Sequence, residues 1–244
     1  QFIWADSLKP IVAPGNDEGA IDFYSRHQII TVEADTIIGR IDPFQPGKPG
    51  LDVFGKSVNP RQTPSRIHLG QNVIFEPDGR SVRATAAGQV ILERGKLSVR
   101  SVLDVKGDVS FETGNIDSVS DVLVHGSIRD LFTVKSKRKI SIRGMVDSAF
   151  LQADGDITIV GGVKGRGKAL MEAGGDIHAK FLDSVYAIAG GDVEIANEAI
   201  DSTILCSGQL KMKHGVILGG RQYATGGIRA KTIGSPSGVK TVVG

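Results

Sequence analysis

The stretch Gly162-Val163-Lys164-Gly165-Arg166-Gly167-Lys168 has the spacing G-x-x-x-x-G-K, with which a glycine-rich loop wraps phosphates and a lysine meets the terminal ones. The next residue is Ala169, where that chemistry needs a hydroxyl for magnesium, and no helical pattern follows to turn an N-terminus toward phosphate. A lengthened corner is therefore expected. Asp117, Asp147, Asp183 and Asp201 recur before serines, and Asp108, Asp156, Asp176 and Asp192 follow glycines. Stacked carboxylates could hold calcium, but rolls that do so repeat Gly and Asp more densely. Both sets are expected to turn the chain, and none is spaced with a histidine or second acid for acid–base work. His27, His68, His125, His178 and His214 are scattered without metal-ligand spacing. Cys206 falls where the repeat below puts small residues, so it is expected to be buried in place of an alanine. No catalytic, cofactor or metal site is expected.

The run "VKSKRKISIR" concentrates Lys135, Lys137, Arg138, Lys139 and Arg143 within ten residues. A solvated corner is the plain reading. Docking of an acidic partner, nucleic acid or lipid headgroups is the functional one. "ATAAGQV", from Ala84, is like one half of a biotinyl hairpin but has no lysine at the turn to modify.

The elements that carry these residues follow from a repeat. "ADGDITIVGGV", "AGGDIHAKFL" and "AGGDVEIANEAI" start at Ala153, Ala173 and Ala189. Aligning the first apolar residue after each Gly-Asp or its equivalent gives Val109, Val122, Ile140, Ile157, Ile177, Val193, Leu210 and Ile228, one gap of 13 residues and the rest of 16 to 20. Two positions on stands another core-type residue, with a polar one between in seven of eight units, the alternation of a strand with one buried face. Four positions before each anchor the residue is small in seven units: Ser118, Ser136, Ala153, Ala173, Ala189, Cys206 and Ala224. Units this short cannot bury an apolar face alone and must stack. The expected fold is all-β: a right-handed parallel β-helix of about eight short coils over residues 101–244, after a small irregular β domain over 1–100 with a Pro/Gly-rich loop. In that first part, Asp78-Gly79 is a hairpin signal.

Composition narrows the function. A net charge of +2 and 5% aromatic residues argue against general binding of nucleic acid. No stretch approaches the ~20 apolar residues of a membrane helix. One cysteine cannot form an internal disulfide, which points to a reducing compartment. The start at Gln1 and the stop at Gly244 in mid-pattern suggest a piece of a longer protein.

Pro46-Gly47-Lys48-Pro49-Gly50-Leu51-Asp52-Val53-Phe54-Gly55, Phe111-Glu112-Thr113-Gly114-Asn115-Ile116 and the Gly-Asp ladder resemble the bacterial flagellar assembly protein A family over most of residues 30–244. Gly47, Pro49, Gly50, Asp52, Gly55, Gly114 and Asn115 carry the signature as structural residues. The resemblance implies a cytoplasmic bacterial scaffold without catalytic residues. It would act in assembly or polar placement of the flagellum through protein partners, among them flagellar or polar assembly factors and a sugar-phosphotransferase regulator. It also implies a helical coiled-coil beyond this sequence and allows a homo-oligomer. A bactofilin-like or division-site module polymerising end to end is the alternative, disfavoured by the amino-terminal domain. A polysaccharide-degrading β-helix is a third, disfavoured by one Trp and three Tyr.

Overall fold

The computed structural model of the chain describes residues 2–8, 30–42, 48–59 and 67–244. These form two compact units, one including Val32–Arg100 and the other Ser101–Gly244. Apart from one 3-10 turn, Asp6–Leu8, the regular elements among the described residues are all β-strands.

The second unit is a parallel β-helix of about eight turns, each laying strands on three faces. On the first face Leu103, Val122, Ile140, Ile157, Ile177, Val193, Leu210 and Ile228 pair in parallel register. The second face stacks Val109, Ile128, Val146, Val163, Leu182, Ala199, Ile217 and Ile233. The third stacks Ile116, Val134, Leu151, Met171, Ala187, Ile204, Gln222 and Val243. Apolar residues point inward because alternate side chains of a strand face opposite sides. From Leu103 to Leu210 the first-face column is at most 2% exposed. Each buried Ile or Leu contributes about 1.5–3 kcal/mol, against about 1 kcal/mol net for a hydrogen bond. Apolar burial thus drives the stacking, and polar corners set its register.

The small-residue register lies on the third face, where Ser118, Ser136, Ala153, Ala173, Ala189, Cys206 and Ala224 stand one above another. They sit next to the corner, where the chain turns inward and leaves room for little more than a methyl group. Ser118 and Ser136 keep their hydroxyls satisfied by hydrogen bonding the carbonyl of Ser120 at 3.2 and 2.9 Å.

Two details differ from the sequence expectation. Val109 does not begin the first-face column. Leu103 does, pairing with Val122, while Val109 bridges to Ile128 on the second face. Asp117, Asp147, Asp183 and Asp201 do not form one stack either. Asp117 lies on the third face opposite Lys135, Asp183 lies on the second between Lys164 and Ile200, and Asp201 follows Ile200 at a corner.

In the first unit, strands Phe2–Trp4, Ile37–Ile41, Ser81–Ala84 and Val73–Phe75 form one antiparallel sheet. Asp78-Gly79 makes the expected hairpin there: Asp78 Oδ1 accepts the N–H groups of Arg80 and Ser81, each at 2.8 Å, and Gly79 takes φ +65°. A second sheet orders Thr31–Val32, Gly88–Glu93, Lys96–Arg100 and His68–Leu69. Gly50–Leu51 and Ser57–Val58 form a separate two-stranded hairpin.

Candidate functional site

The Gly-Asp pairs form a ladder between the third and first faces. Asp156 Oδ1 accepts the N–H of Asp176 at 3.0 Å, Asp176 that of Asp192 at 2.7 Å, and Asp192 that of Gln209 at 2.7 Å. Asp108 does the same for Ser127 at 2.8 Å, but at the corner between the first and second faces. In the basic turn, Lys139 occupies the ladder position. Its N–H donates to Asp121 Oδ1 at 3.3 Å and its ammonium to Asp156 Oδ2 at 2.7 Å, so a cation interrupts the stacked anions. The Lys139 ammonium, with the N–H of Asp176, holds the Asp156 carboxyl below the usual aspartate value. Lys211, with the N–H of Gln209, does so for Asp192. These carboxylates are anchored structural acceptors. Among the described residues no three His, Cys, Asp or Glu side chains are grouped to hold a metal ion.

The other chemical candidates resolve similarly. In Gly162–Ala173, the four residues between Lys164 and Ala169 face the one between Asp183 and Val185, so the G-x-x-x-x-G-K segment contains a bulge that exposes Arg166, Gly167 and Lys168, as a lengthened corner requires. Its Arg166 and Gly167 have positive φ, and Arg166 pairs with Asp130 at 3.0 Å. His125 Nε2 lies 2.8 Å from Asp104 Oδ1, an ion-pair distance without the alignment of a hydrogen bond. His178 is 3.6 Å from Glu194, and His27 lies outside the described residues. Cys206 is 7% exposed in the small-residue column, and burial pushes its thiol pKa up.

The basic run is divided by the fold. Lys135, Lys137, Arg138 and Lys139 stand along the third face and its ladder corner, whereas Arg143 follows strand Ile140–Ile142 at the opposite corner. Lys135 Nζ sits 5.6 Å from the centre of the Phe150 ring, and Arg138 pairs with Asp121 at 3.0 Å. The run meets carboxylates 17 positions away in sequence, one turn up or down.

The signature residues organise two surface devices. Asp52 Oδ1 accepts the N–H groups of Phe54 and Lys56 at 2.9 and 2.8 Å, and Gly55, at φ +78°, donates to the Asp52 carbonyl at 3.0 Å. Pro49 and Gly50 lead into this hairpin, while Gly47 lies outside the described residues. The turn holds Val53 and Phe54 outward, 94% and 90% exposed. At the start of the β-helix, Gly114 takes φ +74° and Asn115 Oδ1 accepts the N–H of Thr133 at 2.8 Å. Phe111 there packs edge-on against buried Phe132, ring centres 5.2 Å apart.

Sequence reasoning missed a groove in the first unit lined by Gln71, Glu93, Arg94, Lys96, Ser98 and Arg100. Lys96 and Arg100 lie at the two ends of one strand and Arg94 in the turn before it, so no dense run marks them. Sequence reasoning also missed an outward apolar row on the third face, where Ile188, Leu205 and Tyr223 stand in register. Among the described residues no helix is long and apolar enough to cross a membrane.

Comparison with known families matches residues 101–244 to the Flagellar Assembly Protein A beta solenoid domain and residues 1–95 to the Flagellar Assembly Protein A N-terminal region. No curated protein and no solved structure matches the chain. The hairpin that carries Asp52 and the ladder of stacked turns thus fall within two adjoining matches that span nearly the whole sequence, and the chain belongs to the flagellar assembly protein A family.

Proposed function

We propose that this chain is a non-enzymatic scaffold in assembly or polar placement of the bacterial flagellum, working in the cytoplasm through protein–protein contacts. The observation that carries the reading is the hairpin tip: Asp52 and Gly55 fix a turn whose product is two bare apolar side chains, Val53 and Phe54. Exposed apolar groups on a preorganised support favour association, because little freedom remains to be lost on binding. Family membership supplies the process. Flagellar or polar assembly factors are the expected partners, with a sugar-phosphotransferase regulator among them.

An acidic partner would also meet the run Lys135–Lys139, in competition with Asp121 and Asp156, which already hold Arg138 and Lys139. The test is complementation of a deletion strain. Wild-type chain in its full-length context is expected to restore flagella, and Val53→Ser/Phe54→Ser to accumulate normally yet fail. Full flagellation by that variant would refute the hairpin's part. Normal flagella in the deletion strain itself would refute the scaffold reading.

A further inference from the structure

The groove of the first unit has a built form. Its floor is the hairpin of Gly88–Glu93 and Lys96–Arg100, joined by Arg94-Gly95 with φ of +49° and +77°. Positive φ at both turn residues is the geometry that suits the right-handed twist of a two-residue hairpin. Leu97 and Val99 are fully buried, so alternation turns Lys96, Ser98 and Arg100 to the open side. Gln71 joins that rim, its carbonyl accepting the N–H of Val99 at 3.0 Å. The result is an open groove of about 810 Å³ with three cations and one carboxylate, Glu93.

Glu93, cross-strand from Lys96, is the only carboxylate lining the groove, and none of the three cations is held by it in an ion pair. On the β-helix Arg129, Arg138, Lys139 and Lys211 each meet an aspartate of a neighbouring turn, and Arg166 meets one two turns away. Arg94, Lys96 and Arg100 are in no ion pair among the described residues. Three like charges in one concavity oppose each other, and an incoming anion relieves that cost.

We infer that this groove docks an acidic segment of a partner protein, held extended with carboxylates at alternate positions. Lys96, Ser98 and Arg100 repeat at about 6.8 Å, the two-residue spacing of a strand, which matches alternate side chains of an extended peptide. Charges strung along a line suit several anionic groups better than one phosphate. Nucleic acid fits less well, because no aromatic side chain lines the groove to stack a base. The inference rests on the protein-docking reading above but names a different surface and a partner chemistry.

The test is fluorescence anisotropy of the whole chain with a labelled peptide alternating Glu and Ser, at low salt. Binding is expected. It should weaken at least tenfold in Lys96→Glu/Arg100→Glu and remain unchanged in Lys135→Glu/Lys137→Glu, while a Lys/Ser peptide should prefer the first variant over wild type. If the reversal disturbs folding by circular dichroism, Lys96→Gln/Arg100→Gln takes its place with the same expected direction. No binding by wild type, equal loss in both variants, or tighter groove-dependent binding of oligo-dT or phosphatidylserine vesicles would overturn the inference. Flagellation of the same variants, scored separately, tells a silent groove from a failed scaffold reading.

Discussion

Asp176 occupies the space in which a side chain at Gly191 would begin. Its Oδ1 lies 2.1 Å from the position of a β-carbon there, while accepting the N–H of Asp192 at 2.7 Å. Gly175 stands in the same relation to Asp156, and Gly208 to Asp192. The Gly-Asp pair is therefore one device read across two turns: the aspartate serves the turn above, and the glycine admits the aspartate of the turn below.

Gly191→Ala and Gly190→Ala should separate these roles. The first displaces a carboxylate that can move, giving up one hydrogen bond at a cost of about 1–2 kcal/mol. The second drives a methyl group 2.2 Å from the backbone carbonyl of Gly174, which cannot yield. Its cost should be larger, about 3 kcal/mol. Denaturant midpoints with unchanged slopes would check the order, and an equal effect of the two would contradict it.

Asp176→Ala should destabilise by about 1–2 kcal/mol, because the half-buried N–H of Asp192 loses its acceptor. Asp176→Asn, which keeps an oxygen, should recover part of the loss. Melting temperatures of the three proteins would decide.

Acid should weaken the ladder before neutral or alkaline pH does. Asp108, Asp156 and Asp192 have folded-state values below the ordinary 3.8. Their contribution is thus complete above the unfolded value and lost as pH falls through the lowered folded values. Stability should be flat from pH 5 to 7 with respect to these groups and fall below about pH 4. Replacing Lys139 by Gln should make that acid decline shallower, since the Lys139 ammonium is the first cause of the Asp156 shift.

Cys206 should react with a thiol reagent only at the rate of opening of its turn. Burial raises its pKa and leaves the residue only 7% exposed. Added denaturant below the midpoint should accelerate labelling. Immediate stoichiometric reaction in native buffer would show that the column is open.

The columns were legible in sequence because Ile140, Ile157, Ile177 and Val193 repeat a local pattern whose only solution is stacking. The first turn was misphased for a physical reason. Asp108 fills the space beside Gly126 as Asp176 does beside Gly191, but at a different corner, and Gly107 faces open space. The pair announces a turn without saying which, and strand Val102–Val105 has no such pair before it. The 13-residue gap was the trace of this. The cation partners were not legible, since Arg138 and Lys139 find Asp121 and Asp156 only once the turns are superposed. The groove cations were hidden because Leu97, Ser98 and Val99 separate Lys96 from Arg100.

The bulge at Gly165–Lys168 has a practical corollary. Excess chain leaves the cylinder sideways there, while Val163 and Met171 keep their partners Leu182 and Ala187. Height along the stack and cargo on its flank are therefore independent variables. A foreign epitope grafted between Arg166 and Gly167 would ride outside the barrel wall, leaving the rungs above and below unaware of it.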